Sequence, residues 1–260
     1  MDQILKVSTL LQRLSNNGFD SIINFYHESI KHKKQGSINY FNIHSLNIAL
    51  TGKLEKGIWE SFDLTHPDGI GIWLISKFLK SPLPFSRFNW TDNVYKFLEI
   101  AELNKWRIFF LGGKPDIILE AYKLTHKSYK SLVICGYNDG YSPIDDNQFI
   151  ERINELKPDI IWVGMGTPKQ EEWILKHKDF LSCYVLHAVG DIFSELAKVK
   201  VRGPKLFRQF GFEWIFRILS DPHNYLLRYF NSIILLMKIA FISLSSRVRS
   251  FYKFIHNRII

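Results

Sequence analysis

The chain has 260 residues, 46% of them hydrophobic and 15% aromatic, enough to bury a sizeable core and to exclude a largely disordered chain. Its formal charge of +9 is uneven: residues 198–260 hold twelve Lys/Arg against Glu213 and Asp221, a net +10 that leaves −1 for residues 1–197. The two cysteines, Cys135 and Cys183, sit in apolar runs, which reads as packed thiols and excludes a disulfide framework.

Residues 1–20 are amphipathic and lack the continuous apolar stretch and small-residue cleavage site of a signal peptide, so the reading is a cytosolic chain. The first 35 residues read as helical. Strand signals follow at "SINYFNI" (37–43), "WRIFFLG" (106–112), "SLVICGY" (131–137), "DIIWVGMG" (159–166) and "CYVLHAVG" (183–190), each short, rich in β-branched or aromatic residues, and bounded by Gly, Asp or Pro. Helix-length segments such as "PDIILEAYKLTHKSY" and "DNQFIERINELK" lie between them. This alternation predicts an α/β fold, a Rossmann-like and mostly parallel sheet with helices on both faces, followed by a helical basic C-terminal appendage.

In such folds ligands meet the loops that leave the carboxyl ends of the strands. "HPDGIGIW" (66–73) places Asp68 in a turn, where it reads either as turn chemistry or as a general base. "FLGGKPDI" sets Gly112, Gly113 and Lys114 between a strand and a helix starting near Pro115. In "VGMGTPKQEEWI", Thr167 reads as an N-cap, Pro168 as the first helical residue and Gln170 as the third position of a capping box. Gly164, Gly166 and Lys169 add open backbone and a cation at a helix N-terminus, so the stretch reads as helix grammar or as an anion seat. Two such seats point to a diphosphate or a nucleotide. Neither is a G-x-G-x-x-G or Walker A loop. None of the thirteen Asp residues has another two positions away, so no Asp-x-Asp metal pair is present and cationic side chains must hold a diphosphate. His44, His66 and His187 show no metal-ligand spacing, although His66 stays a site candidate beside Asp68.

The basic tail suits a polyanion: nucleic acid, an anionic membrane or a phosphate-bearing substrate. No nucleic-acid motif accompanies it, and its cations alternate with long aliphatics instead of stacking aromatics. "IILLMKIAFISL" (233–244), broken at Lys238, reads as too short to span a bilayer and suited to a membrane interface, or as a terminal helix packed on its own domain or another subunit, with a true transmembrane span the least favoured alternative.

The ordered set "PDGIGI" (67–72), "SRFNWTD" (86–92), "FLGG" (110–113), "VGMGTPKQEEWI" (163–174), "VRGP" (201–204), "GFEWIFRI" (211–218) and "DPHNYLLRYF" (221–230) resembles the WecG/TagA/CpsF family, glycosyltransferase family 26. The resemblance implies an inverting, metal-independent transfer of a sugar, N-acetylmannosamine-like or another hexose, from a UDP-sugar to a sugar on an undecaprenyl diphosphate carrier. It implies a catalytic domain over 1–197 and an appendage over 198–260 that closes the site and docks on the inner face of a bacterial membrane. It puts the base at Asp68 and sugar contacts at Gln170 and Asn42. Donor or acceptor contacts fall at Gly112, Gly113, Gly164, Gly166, Lys169, Glu171, Arg87, Asp92, Arg217 and Arg228, with Glu213 and Trp214 in the same C-terminal segment. No cofactor is expected, and self-association is favoured. Departures from the family pattern fall at Tyr40, Trp90, Asp191 and Ser194, and keep open a rival reading as a non-catalytic nucleotide-sugar-binding or scaffold protein.

Overall fold

A computed structural model describes residues 2–15, 18–51, 58–80 and 88–259 of the chain. Six strands, β1 (Gly36–Phe41), β2 (Leu64–Pro67), β3 (Arg107–Gly112), β4 (Val133–Asn138), β5 (Ile160–Gly164) and β6 (Val185–Ala188), form one sheet in the order β2-β1-β6-β5-β3-β4. Every pairing is parallel. The α/β reading holds, with one strand more than the sequence signalled. β2 has four residues, Leu-Thr-His-Pro, whose polar and proline content hides it from a strand pattern.

Strand alternation builds two apolar layers from one sheet. Ile160, Trp162, Ile108 and Phe110 point into a core covered by the helices Gly18–Lys31, Trp90–Leu103 and Pro115–Ser128. Ile161, Val163, Phe109 and Leu111 point the other way, under the helices Asn147–Glu155 and Lys169–His177. Trp162 stacks on Phe110 with centroids 5.5 Å apart and donates its indole N–H to the Tyr26 hydroxyl at 3.0 Å. Tyr26 in turn meets His187 Nδ1 at 2.6 Å, which links the Trp162, Tyr26 and His187 polar atoms in one buried chain.

A third apolar cluster joins the two ends of the chain. Val7 and Leu11 of the first helix, Asp2–Gln12, pack with Ile72 and Ile75 of the helix Gly69–Phe78 and with Leu235 and Ile239 of the terminal helix Pro222–Ile259. Ser243 donates to the Phe78 carbonyl at 2.7 Å. One face of the terminal helix is thereby docked on the protein, and Leu226, Leu227, Phe230 and Phe241 stand exposed. Its stretch Tyr225–Ser245, 21 residues and longer than the run 233–244, is long and apolar enough to cross a membrane by length and composition alone.

Close approach of β3 and β5 fixes Gly112, whereas Gly166 is held only by its backbone conformation. Gly112 has φ +128°, and a Cβ there would meet the Gly164 carbonyl oxygen at 2.3 Å; Gly166 has φ +78° and open space around it. Gly112→Ala is therefore expected to lower the unfolding free energy by about 2–4 kcal/mol, and Gly166→Ala by only about 1–2 kcal/mol from backbone strain. Urea unfolding followed by circular dichroism checks the pair; equal losses would contradict the packing account.

Candidate active site

Asp68 follows the last residue of β2 and precedes the helix Gly69–Phe78. Gly69 at φ +81° lets the chain turn there, while Asp68 itself is extended and makes no capping bond to the helix. Its carboxylate stays available. Oδ1 accepts the Trp90 N–H at 3.0 Å, from the first turn of the helix Trp90–Leu103. Burial raises the carboxyl above its ordinary value, and the Trp90 N–H, Arg217 and Lys200 pull it back.

Asp68 lines a cleft of about 350 Å³ between the carboxyl ends of β1 and β2 and the C-terminal segment. Asn42 and His44 line the same wall. Asn42 caps the helix Ile43–Thr51, its Oδ1 accepting the N–H groups of His44 and Ser45 at 2.9 and 3.0 Å. His44 is lowered to about 4 by burial and by Arg228, so it is neutral at physiological pH. Trp214, Arg217, Arg228 and Tyr229 form the opposite wall. Trp214 and Tyr229 pack with ring centroids 6.0 Å apart, so Trp214 is both packed and on the cleft surface. Glu213 Oε1 accepts both Nε and Nη2 of Arg217, at 3.1 and 2.7 Å. Burial would raise Glu213, but the Arg217 and Arg202 guanidiniums hold it at about 2.

The remaining predicted residues lie elsewhere or do other work. The helix begins at Lys169 with Pro168 at its N-cap and no side-chain capping bond, so the expected capping box does not form. Thr167 Oγ1 instead donates to Glu171 Oε1 at 3.1 Å and meets the Tyr40 hydroxyl at 3.0 Å. Gln170, fully buried, donates to the same Glu171 oxygen at 3.0 Å and accepts the Gly190 N–H at 3.1 Å. This cluster ties together the carboxyl ends of β1, β5 and β6. Gln170 and Glu171 are both fully buried in this cluster and do not line the cleft. Lys169 is exposed and outside the cleft lining. Gly112 and Gly164 serve strand packing: a Cβ on Gly164 would meet the Gly190 carbonyl oxygen at 2.6 Å. Gly113 donates its N–H to the Gly164 carbonyl at 3.0 Å, so the loop expected to be an open anion seat is closed by main chain.

Arg87 lies outside the described residues. Asp92 has Arg202 and Arg208 as ion partners. Trp90 is core, and Asp191 is held by Lys200 at 3.5 Å, so two of the departures from the family pattern have structural work. His66 is fully buried beneath the cleft, its Nδ1 3.2 Å from the Pro67 carbonyl, and is not a cleft residue. Among the described residues no group of three or more His, Cys, Asp or Glu side chains is arranged so that it could hold a metal ion, and none is assigned. A second cavity, about 260 Å³, lies between the first helix and β2 and contains none of the predicted residues. The contacts of Tyr40 and Arg202 were not foreseen: Tyr40 stood out only as a departure from the family pattern, and Arg202 only within the quoted "VRGP".

Fold and cleft define an α/β protein with a ligand site at the carboxyl edge of a parallel sheet. A family model described as "Glycosyl transferase WecG/TagA/CpsF family" matches residues 7–250, and the chain belongs to that family. It is similar to proteins named N-acetylglucosaminyldiphosphoundecaprenol N-acetyl-beta-D-mannosaminyltransferase from Staphylococcus aureus strains MW2 and NCTC 8325 / PS 47, each 35% identical over 154 residues. The aligned stretch covers 59% of this chain and 60% of each of those relatives.

Burial pushes Glu171 from 4.5 up to about 7, against the hydrogen bonds of Gln170 and Thr167. Since the folded value lies above the unfolded one, ionising Glu171 costs stability: the cost is absent below about pH 4.5, grows through pH 7 and is complete above it. The Glu171→Gln variant should therefore gain on the parent chain between pH 4.5 and 8, by at most about 3 kcal/mol, in urea unfolding at a series of pH values. A stability difference that does not change with pH would contradict the burial of an ionisable Glu171.

Proposed function

We propose that the protein is an inverting hexosyltransferase that moves a sugar from a UDP-sugar to a sugar linked to undecaprenyl diphosphate, in the synthesis of a bacterial cell-surface polysaccharide. The observation that carries this reading is a single cleft with the Asp68 carboxylate on one wall and Arg217 and Arg228 on the other. A carboxylate with a raised pKa can take a proton from an acceptor hydroxyl, and two guanidiniums can bind a diphosphate through charge-assisted hydrogen bonds.

In the proposed step Asp68 accepts the proton of the acceptor hydroxyl as its oxygen bonds to the anomeric carbon of the donor. The bond from that carbon to the diphosphate oxygen breaks, and UDP departs with the electron pair. Arg217 and Arg228 compensate the charge that develops on it. Asn42 orients the sugars. Gln170 and Glu171 act through Tyr40 and the Gly190 loop. Lys169 and Gly166 lie outside the cleft lining and have no part in this step. The reaction as proposed uses no metal.

The apolar surface beside the cleft supports work at a membrane. Phe210, Phe212, Leu226, Leu227 and Phe230 are exposed around the segment that carries Arg217 and Arg228. A lipid-linked acceptor could present its sugar to the cleft while these side chains enter the interface of the inner leaflet.

Transfer from a panel of UDP-sugars to a synthetic polyprenyl-diphosphate sugar tests the reading. One donor should give product, with or without chelator. Asp68→Asn should cut turnover roughly a hundredfold or more while leaving UDP binding within a few-fold. Near-normal turnover by that variant would remove Asp68 as the base. Absence of product with every donor, despite UDP binding, would favour a non-catalytic nucleotide-sugar-binding role.

A further inference from the structure

We propose that Arg202 is a positioning residue for the cleft: through Glu213 it fixes the direction of the Arg217 guanidinium, and Asp92 anchors it to the turn that also holds Asp68. The proposal rests on the reading of Arg217 as a diphosphate-binding group, and it adds the device that aims it.

The Arg202 side chain is 7% exposed, although it belongs to a stretch without regular structure. Three carboxylates from three separate elements meet its guanidinium. Asp92, in the first turn of the helix Trp90–Leu103, accepts from Nη2; Glu195, of the short helix Ile192–Leu196, accepts from Nη1 at 3.4 Å; Glu213, at the start of the helix Glu213–Ser220, accepts from Nη2 at 3.1 Å. Backbone packing holds the hub in place. Gly203 has φ +68°, and a Cβ there would lie 2.3 Å from the Phe216 ring, so the chain next to Arg202 is pressed against the helix that carries Glu213 and Arg217.

Glu213 divides its two oxygens between two guanidiniums. Oε2 takes Arg202, and Oε1 takes both Nε and Nη2 of Arg217. An Arg–Glu pair spaced i,i+4 on a helix is ordinarily loose, because both side chains keep alternative rotamers. Here the buried partner on Oε2 removes that freedom from Glu213, and the fork on Oε1 passes the constraint to Arg217. Among the described residues no partner takes Arg217 Nη1, which leaves it for a ligand in the cleft. The anchor has a further consequence. Trp90 donates its N–H to Asp68, and Asp92, two residues on, holds Arg202. One helical turn therefore sets the carboxylate on one wall and the cation on the other.

The test uses the full-length chain with Arg202→Met, Asp92→Asn and Arg217→Met, singly and with Arg202→Met combined with Arg217→Met. Two readouts are taken: UDP affinity by calorimetry, and the 15N–1H signal of Arg217 Nε, assigned by its loss in Arg217→Lys. Arg202→Met should weaken UDP binding by about tenfold or more and shift or broaden the Arg217 signal, with a smaller change of the same kind in Asp92→Asn. On the Arg217→Met background, Arg202→Met should add less than about twofold, because both changes remove one function. An unchanged Arg217 signal in both variants, or affinity losses that add in full, overturns the proposal. Should Arg202→Met fail to fold, Asp92→Asn decides alone through the same two readouts, its carboxylate being 42% exposed and its loss tolerable. A wild-type chain that binds no UDP would remove the nucleotide reading while the Arg217 signal still judges the positioning.

Discussion

Six strands running one way place all their carboxyl ends on one edge of the sheet, and the placement of the site follows from this constraint. A parallel sheet must be covered on both faces, so each strand returns through a helix, and the loops entering those helices gather at that same edge. β1 and β2 bring Asn42 and Asp68 there as neighbours, with Phe41 opposite Pro67 in the register. β3, β5 and β6 end beside them, but their glycines are consumed by the close approach of Gly112, Gly164 and Gly190. The edge thus has a packed half and an open half, and the cleft lies in the open one.

The open half is closed by the chain's own C-terminal segment, and two forces hold it. Apolar packing of Leu235 and Ile239 against the first helix and the helix Gly69–Phe78 docks the terminal helix. Ion pairs then fix the stretch before it: Lys200 with Asp191, and Arg202 with Asp92, Glu195 and Glu213. Part of the strong positive charge of residues 198–260 is therefore matched inside the protein, by carboxylates that come mostly from the preceding α/β layer. Arg217 and Arg228 line the cleft, Arg217 while also forked on Glu213.

The sheet was legible because its strands are short, apolar and punctuated, and β2 escaped because four residues ending in His-Pro carry no strand pattern. Asp68, Arg217 and Arg228 were found through a turn, a charge count and a family resemblance, and the structure gathers them with Asn42. The burial of Gln170 and Glu171 was not legible. A Thr-Pro-Lys-Gln-Glu run reads locally as a solvent-facing helix start, and only the approach of Tyr40 and Gly190, 130 and 20 residues from Gln170, turns it inward. Asp92 likewise reveals no partner in sequence, since Arg202 lies 110 residues away. Periodicity and capping report on neighbours along the chain; pairings across the fold depend on how the layers dock.

The proposed reaction requires that one cleft, walled by Asn42 and Asp68 on one side and by the segment from Phe210 to Ile233 on the other, receive the nucleotide diphosphate. Amide hydrogen exchange of the full-length chain with and without UDP measures this directly. Exchange is expected to slow at residues 42–45, 68–72 and 210–233 together. Protection confined to the second cavity near Leu10 and Trp59, or UDP binding that leaves 210–233 unchanged, would contradict it.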